Sequence, residues 1–213
     1  MEPKRWLRAW EEGRTGFHQG TVHADLVAHA DWFVAGARRI LVPLCGMSMD
    51  LPYLAAGGAE VVGIELSKLA IERLFEREGW PLVPEQRGPF VSYAAGRIAL
   101  LQGDIFDLDA ADGLYDRVWD RAALVALPPE MRARYVPQLR SVAAPGARVL
   151  QNAFTYDASK MDGPPFSVPG DEVRSLYSGA DVVRVRHEDT IVQTALRERG
   201  LDAWWTSTYR ITL

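Results

Sequence analysis

The chain has 213 residues, 48% hydrophobic and 24% charged, with 24 Lys and Arg against 28 Asp and Glu for a net charge of −4. That length is one domain's worth of core needing no disulfide or structural metal, and that charge gives no general field for capturing nucleic acid. The single cysteine, Cys45, rules out an internal disulfide framework and a CxxC zinc site, and the stretch MEPKRWLRAWEEG has no apolar core of a secretory signal.

Residues 4–12 read as a short amphipathic helix with Trp6 and Trp10 on one face, followed by a turn at Gly13 and Gly16. His18 then sits in a loop. A second helix fits 20–35, with Val22, Leu26, His29 and Phe33 at helical spacing. The period changes at 39–43, a buried-strand candidate, and a helix fits 49–56. A strand at 60–65 and a helix at 67–78 follow, the latter with Ser67 placed to cap it. Residues 79–95 are punctuated by Gly79, Pro81, Pro84, Gly88 and Pro89 and read as an irregular insertion. Strands are expected at 98–102, 115–119 and 147–153, with a helix at 130–143 between the last two. A Gly- and Pro-rich loop spans 157–169, a helix 170–177, and two strands near a sheet edge 182–187 and 205–212. Alternation of strand and helix predicts a three-layer α/β fold with a mainly parallel sheet. No boundary divides the chain, so 1–213 is expected to form a single domain.

In such a sheet a ligand sits at the C-terminal strand ends, so four junctions matter. The first, Val42 to Asp50, contains Gly46, which permits close backbone approach. The second places Glu65, with Leu66 beside it, nineteen residues beyond Gly46, where a carboxylate accepts hydrogen bonds from ribose hydroxyls. The third carries Asp104, Ile105 and Phe106. Asp104 can serve an adenine amino group or simply form the turn, and Phe106 can flank a ring or join the core. The fourth carries Asp120 and Arg121, either a structural ion pair or groups that orient a ligand. Together they favour an adenosine-containing cofactor without deciding between a methyl donor and NAD. The chain lacks GxGxxG, GxxxxGK[ST] and GxSxG. No HxxxH or HExxH occurs among its four histidines, so no metal is expected. Cys45, in an apolar setting without an evident base, reads as an inert buried thiol.

Several blocks carry a resemblance: Trp6, Trp10, Gly13 and the 17–19 stretch FHQ; LVPLCG at 41–46; VVGIELS at 61–67; GDIFDL at 103–108; DRAALVALPPEMR at 120–132; TyrAsp at 156–157; and GPPFSV at 163–168. The chain resembles the thiopurine S-methyltransferase family from Trp6 to Leu213. The resemblance implies a class I methyltransferase (Rossmann-like) fold, with a seven-stranded, mostly parallel sheet whose last strand is antiparallel. It also implies an N-terminal helical lid, about 1–35, and insertions at about 79–95 and 157–169. The implied cofactor is S-adenosylmethionine, leaving as S-adenosylhomocysteine, with no metal. Trp10, Leu44, Gly46, Glu65, Leu66, Asp104, Ile105, Phe106 and Arg121 are the implied cofactor contacts. Phe17, Pro165, Phe166 and Arg197 are placed around the acceptor. Arg121 would hold acceptor charge, with Asp120 or His18 available as a base.

The sequence departs from the family at Met47, where members commonly carry Lys, at Thr155, where they usually carry an acid, and at Thr194-Ala195, which replace a ProArg pair. The last change implies a less cationic acceptor pocket unless Arg197 substitutes. The expected reaction is methylation of a small thiol or thiolate. The alternatives are halide, thiocyanate or selenium and tellurium acceptors, or a catalytically silent S-adenosylmethionine-binding protein. The partner is then a small soft nucleophile, with no nucleic acid and no membrane, and a cytoplasmic monomer is the default expectation.

Overall fold

The computed structural model describes residues 3–16, 18–121, 123–190, 194–198 and 200–213. Its helices are α1 (Pro3–Glu11), α2 (Ala24–Ala28), α3 (Ala30–Phe33), α4 (Asp50–Ala56), α5 (Lys68–Glu78), α6 (Ala123–Ala126), α7 (Pro129–Ser141), α8 (Gly170–Leu176) and α9 (Thr194–Glu198). Its strands are β1 (Arg39–Pro43), β2 (Glu60–Glu65), β3 (Pro84–Arg87), β4 (Phe90–Ala95), β5 (Ile98–Gln102), β6 (Tyr115–Asp120), β7 (Ala143–Thr155), β8 (Asp181–Asp189) and β9 (Trp205–Thr212).

One sheet runs in the order β3-β4-β5-β2-β1-β6-β7-β9-β8. β5, β2, β1, β6 and β7 are parallel, and β9 lies antiparallel between β7 and β8. The expected seven strands with an antiparallel last one are therefore present, and the chain order reverses at β1. That reversal opens a crevice at the C-terminal ends of β1 and its neighbours.

Two further strands correct the expectation for 79–95. This stretch is no irregular insertion. Its β3 and β4 form a hairpin that pairs antiparallel with β5 and widens the sheet. Gly88, at φ +56, makes the turn, and Phe90 packs so tightly on Gly103 that a Cβ there would lie 2.4 Å from the ring. Of the prolines that suggested an irregular stretch, Pro81 precedes β3, Pro84 begins it and Pro89 lies in the turn, where no ladder hydrogen bond is lost.

Apolar side chains fill both faces. Leu26, Phe33, Leu51, Leu54, Ile71 and Phe75 of α2–α5 pack on one, with Trp119 and Leu150 from the sheet. Leu124, Tyr135, Val136, Leu139 and Val173 of α6–α8 pack on the other. Ser67 caps α5 as expected, its Oγ accepting the Ala70 N–H at 3.3 Å.

The helix expected over 20–35 is two short helices broken at His29. His23 caps the first, its Nδ1 accepting the Asp25 N–H at 3.2 Å. Sheet arginines hold the pair down. Arg117 Nε donates to the Phe33 carbonyl at 2.8 Å and Arg148 Nη1 to that of Trp32 at 2.6 Å. The Arg210 guanidinium lies over the Trp32 ring, 5.2 Å from its centroid. Buried Asp25 accepts from Asn152 Nδ2 at 2.9 Å, Thr208 Oγ1 at 2.7 Å and Arg186 Nη1 at 2.9 Å. Burial works against ionisation of Asp25, but the Thr208 bond and the Arg186 charge outweigh it and hold its carboxyl below the ordinary range. The lid expected over 1–35 thus covers two different things, a helix laid across the strand ends and a pair built into the core.

Gly63 marks where packing on β2 is tightest. A Cβ there would meet Leu100 Cδ2 at 2.6 Å and Cys45 Sγ at 2.7 Å. Gly63→Ala is expected to destabilise by about 1–3 kcal/mol, the range for overpacking a core. Adding Cys45→Ala should recover part of that loss. Urea unfolding of the single and double variants measures both, and additive losses would refute the contact.

Candidate functional site

The loop after β1 turns on two residues with positive φ, Leu44 at +49 and Gly46 at +54. For Leu44 that conformation costs about 1–2 kcal/mol, so the surroundings must hold it. The hold comes from the end of β2. Gly46 N–H donates to Glu65 Oε2 at 2.8 Å, and Ser67 N–H to Glu65 Oε1 at 2.8 Å. Cys45 N–H donates to the Ile64 carbonyl at 2.9 Å. Burial pushes the Glu65 carboxyl up, opposed by N–H donors from Ser67, Gly46 and Leu66. Trp10, 2% exposed, closes over the glycine, with Cζ2 3.2 Å from where a Cβ would stand. Cys45 is buried and burial pushes its thiol well above the ordinary value, as expected of an inert thiol.

The third junction adjoins this one. Gly103 N–H donates to the Glu65 carbonyl at 3.0 Å. Of the two roles open to Asp104, the structure shows the turn, with Oδ1 accepting the Phe106 N–H at 3.1 Å. Ile105 is buried, and Phe106 is half-buried with the Arg134 guanidinium 4.8 Å from its ring centroid. Trp10, Leu44, Gly46, Glu65, Leu66, Asp104, Ile105 and Phe106 therefore gather on α1 and the ends of β1, β2 and β5.

At the end of β6 the adjacent charges part. Asp120 is fully buried. It accepts from Tyr135 Oη at 2.7 Å and from the N–H groups of Ala123 at 3.0 Å and Leu124 at 3.2 Å. Burial raises its carboxyl to about 6 against these bonds. The geometry of Asp120 is that of an anchor for α6 and α7, without the exposure a base needs. Arg121 is half-buried and lines a cleft with Leu44, Ser48, Asp50 and Trp119.

Asp50 was not singled out in the sequence, where it falls in the first turn of the helix expected over 49–56. It is 1% exposed, with Oδ1 accepting the His23 N–H at 2.8 Å and Oδ2 the Trp119 indole N–H at 2.8 Å. A carboxylate at a helix start and a Trp before a charged pair were the available signals. His18 is half-buried and lies in the field of Arg77, Arg121 and Asp50. Burial, then the two arginines, lower its pKa, so the ring is mainly neutral at pH 7.

The 157–169 loop is pinned to α6, α7 and α1. Phe166 N–H donates to the Val125 carbonyl at 2.7 Å, and Tyr156 Oη to that of Pro165 at 2.7 Å. Buried Arg132 donates to the Ser167 carbonyl at 3.3 Å and to Glu172 Oε1 at 2.7 Å, with its guanidinium 5.8 Å from the Phe166 centroid. Arg5 Nη2 on α1 donates to the Gly163 carbonyl at 3.0 Å. The first helix thus touches the 157–169 loop at one end and Gly46 at the other. Phe17, expected near the acceptor, lies outside the described residues. Arg197 is exposed on α9.

A family model described as Thiopurine S-methyltransferase (TPMT) matches residues 1–213. A thiopurine S-methyltransferase of Bordetella petrii is 42% identical over 216 residues, covering 99% of this chain and 98% of its own. One of Pseudomonas entomophila is 40% identical, covering all of both chains. Among solved structures, the 1,6-didemethyltoxoflavin-N1-methyltransferase of Burkholderia thailandensis, bound to S-adenosylhomocysteine, superposes with a TM-score of 0.63 at 16% identity. It covers 98% of this chain and 86% of its own, a likeness of fold.

Asp120 titrates at about 6 in the fold against an ordinary 3.8. The fold therefore favours its protonated form. The stability this contributes is fully present below its unfolded pKa and is lost as pH rises through about 6. Two units amount to roughly 3 kcal/mol. Unfolding free energies measured from about pH 4 to about pH 7 should fall for the native chain and fall less for Asp120→Asn. Parallel curves would show that the carboxyl ionises unhindered.

Proposed function

The chain belongs to the thiopurine S-methyltransferase family and is a methyltransferase dependent on S-adenosylmethionine, and from that premise we propose that its acceptor is the sulfur of a small thiol or thiolate. The observation that carries this reading is the Glu65–Gly46–Trp10 arrangement, with Arg121 lining the cleft beside Leu44 and His18 within the field of Arg121.

The residues fit the donor. A carboxylate has about four acceptor directions, so the Glu65 oxygens, with their backbone donors satisfied, keep capacity for a ribose hydroxyl. Gly46 carries no side chain toward Trp10, so the loop can lie close to a ligand under the ring. Ile105 and Phe106 offer apolar surface beside them. When bound, S-adenosylmethionine supplies a methyl group already activated by its sulfonium charge.

The chain's remaining task is to place and ionise the acceptor. The Arg121 cation favours a thiolate over a thiol. A ring nitrogen of neutral His18 can take the thiol proton when the acceptor is not already ionised. Pro165 and Phe166, held by Tyr156 and Arg132, form an apolar wall on the acceptor side. Alignment in this closed space supplies the rate. No covalent enzyme intermediate is needed. We take the active unit to be a single chain in the cytoplasm, working on a small molecule.

Formation of S-adenosylhomocysteine with thiopurines, thiophenols, alkyl thiols, iodide, thiocyanate and selenite tests the acceptor class. Thiols should lead, and turnover confined to the inorganic acceptors would overturn the assignment. Glu65→Ala should weaken cofactor binding by about 1.5–3 kcal/mol, the scale of a charge-assisted hydrogen bond. Unchanged affinity in calorimetric titration would remove Glu65 from the site.

A further inference from the structure

Asp50 is a buried carboxylate whose contacts reach both sides of the cleft. Its Oδ1 holds the backbone N–H of His23, five residues beyond His18, and its Oδ2 holds the indole of Trp119, two residues before Arg121. Its own N–H is returned to Ser48 Oγ at 3.1 Å within the loop that carries Leu44 and Gly46. The His23 ring packs edge-on against Trp119 with centroids 5.5 Å apart, so the two anchored segments also touch each other. Asp50 and Arg121 line the same cleft.

We propose that Asp50 is the positioning residue of this methyltransferase, fixing the His18 segment and the end of β6 so that His18 and Arg121 face one acceptor. The proposal rests on the reading of His18 and Arg121 given above. Each Asp50 oxygen has a different donor, so the carboxylate sets the distance between the two chain segments. Asp50 also lies close enough to act on both Arg121 and His18: its charge opposes the burial that lowers the Arg121 guanidinium. Among the described residues Asp50 is the acid whose charge raises the His18 ring, against Arg77 and Arg121. A carboxamide at this position has one acceptor oxygen, so one of the two donors would face an NH2 group. One flank of the cleft would then be released.

The test uses the full chain, with Asp50→Asn and Trp119→Phe as variants. Four quantities are read: unfolding midpoint, S-adenosylmethionine affinity, kcat and KM for thiophenol, and the His18 ring titration by NMR. Asp50→Asn should lower kcat about 10–100-fold, the cost of a misplaced reacting group. Cofactor affinity should stay within about threefold, separating a positioning loss from a binding loss. His18 should titrate lower than in the native chain. Trp119→Phe keeps the charge and loses one anchor, so kcat should fall while His18 titrates as before. A folded Asp50→Asn with native kcat, or with an unmoved His18 titration, overturns the proposal. Should Asp50→Asn not fold, native kcat in Trp119→Phe overturns it. A native chain that methylates no acceptor overturns the functional reading instead, and the His18 titration then decides the role of Asp50 alone.

Discussion

Glu65 ties the loop after β1 to the loop after β2. Its carboxylate takes one N–H from the turn after β1 and one from the turn after β2. Without it, Leu44 would have little reason to stay in a left-handed conformation. The group is expensive to bury, and the backbone donors are what make burial tolerable. This is a constraint on the site as well as on the fold. On the proposed reading, the same atoms that hold the loop would face a ribose, and one side chain would tie ligand binding to loop geometry.

Much of this was legible in the sequence because it depends on local chemistry. Strand–helix alternation, the cap at Ser67, the acid ending β2 and the glycine after β1 each carry a signal within a few residues. The hairpin was hidden because β3 is exposed throughout and shows no alternation, and because its punctuation by Pro and Gly is that of a loop. Asp50 and Asp25 were hidden for a different reason. Their donors lie 27 to 183 residues away in the chain, and no spacing rule links them. Asp120 reads in sequence as a charge beside another charge. Only the fold shows that one turns inward to Tyr135 while the other stays at the cleft.

The N-terminal region shows how one stretch can serve two ends. Its later part is held by the carbonyls of Trp32 and Phe33 under sheet arginines and by the buried Asp25 network. Its first helix meets the rest of the chain through the Arg5–Gly163 hydrogen bond, the Arg73 guanidinium over the Trp10 ring and the Trp10–Gly46 contact, among others. Leu26 and Phe33 of the later part are fully buried, while the first helix buries Ala9 and Trp10.

The hairpin also changes what the sheet presents to other molecules. An open sheet ends in strands with unpaired backbone groups, and a long apolar edge invites a second chain to add on. Here one edge is β3, four exposed residues that begin with Pro84 and carry Glu85 and Arg87. The other is β8, which carries Asp181, Arg184, Arg186, Glu188 and Asp189. A strand docking at either edge would have to desolvate charges of both signs, and at β3 it would also meet a residue without an N–H. The sheet is thereby guarded against edge-to-edge aggregation at both ends, and the insertion that widens it supplies one of the two guards.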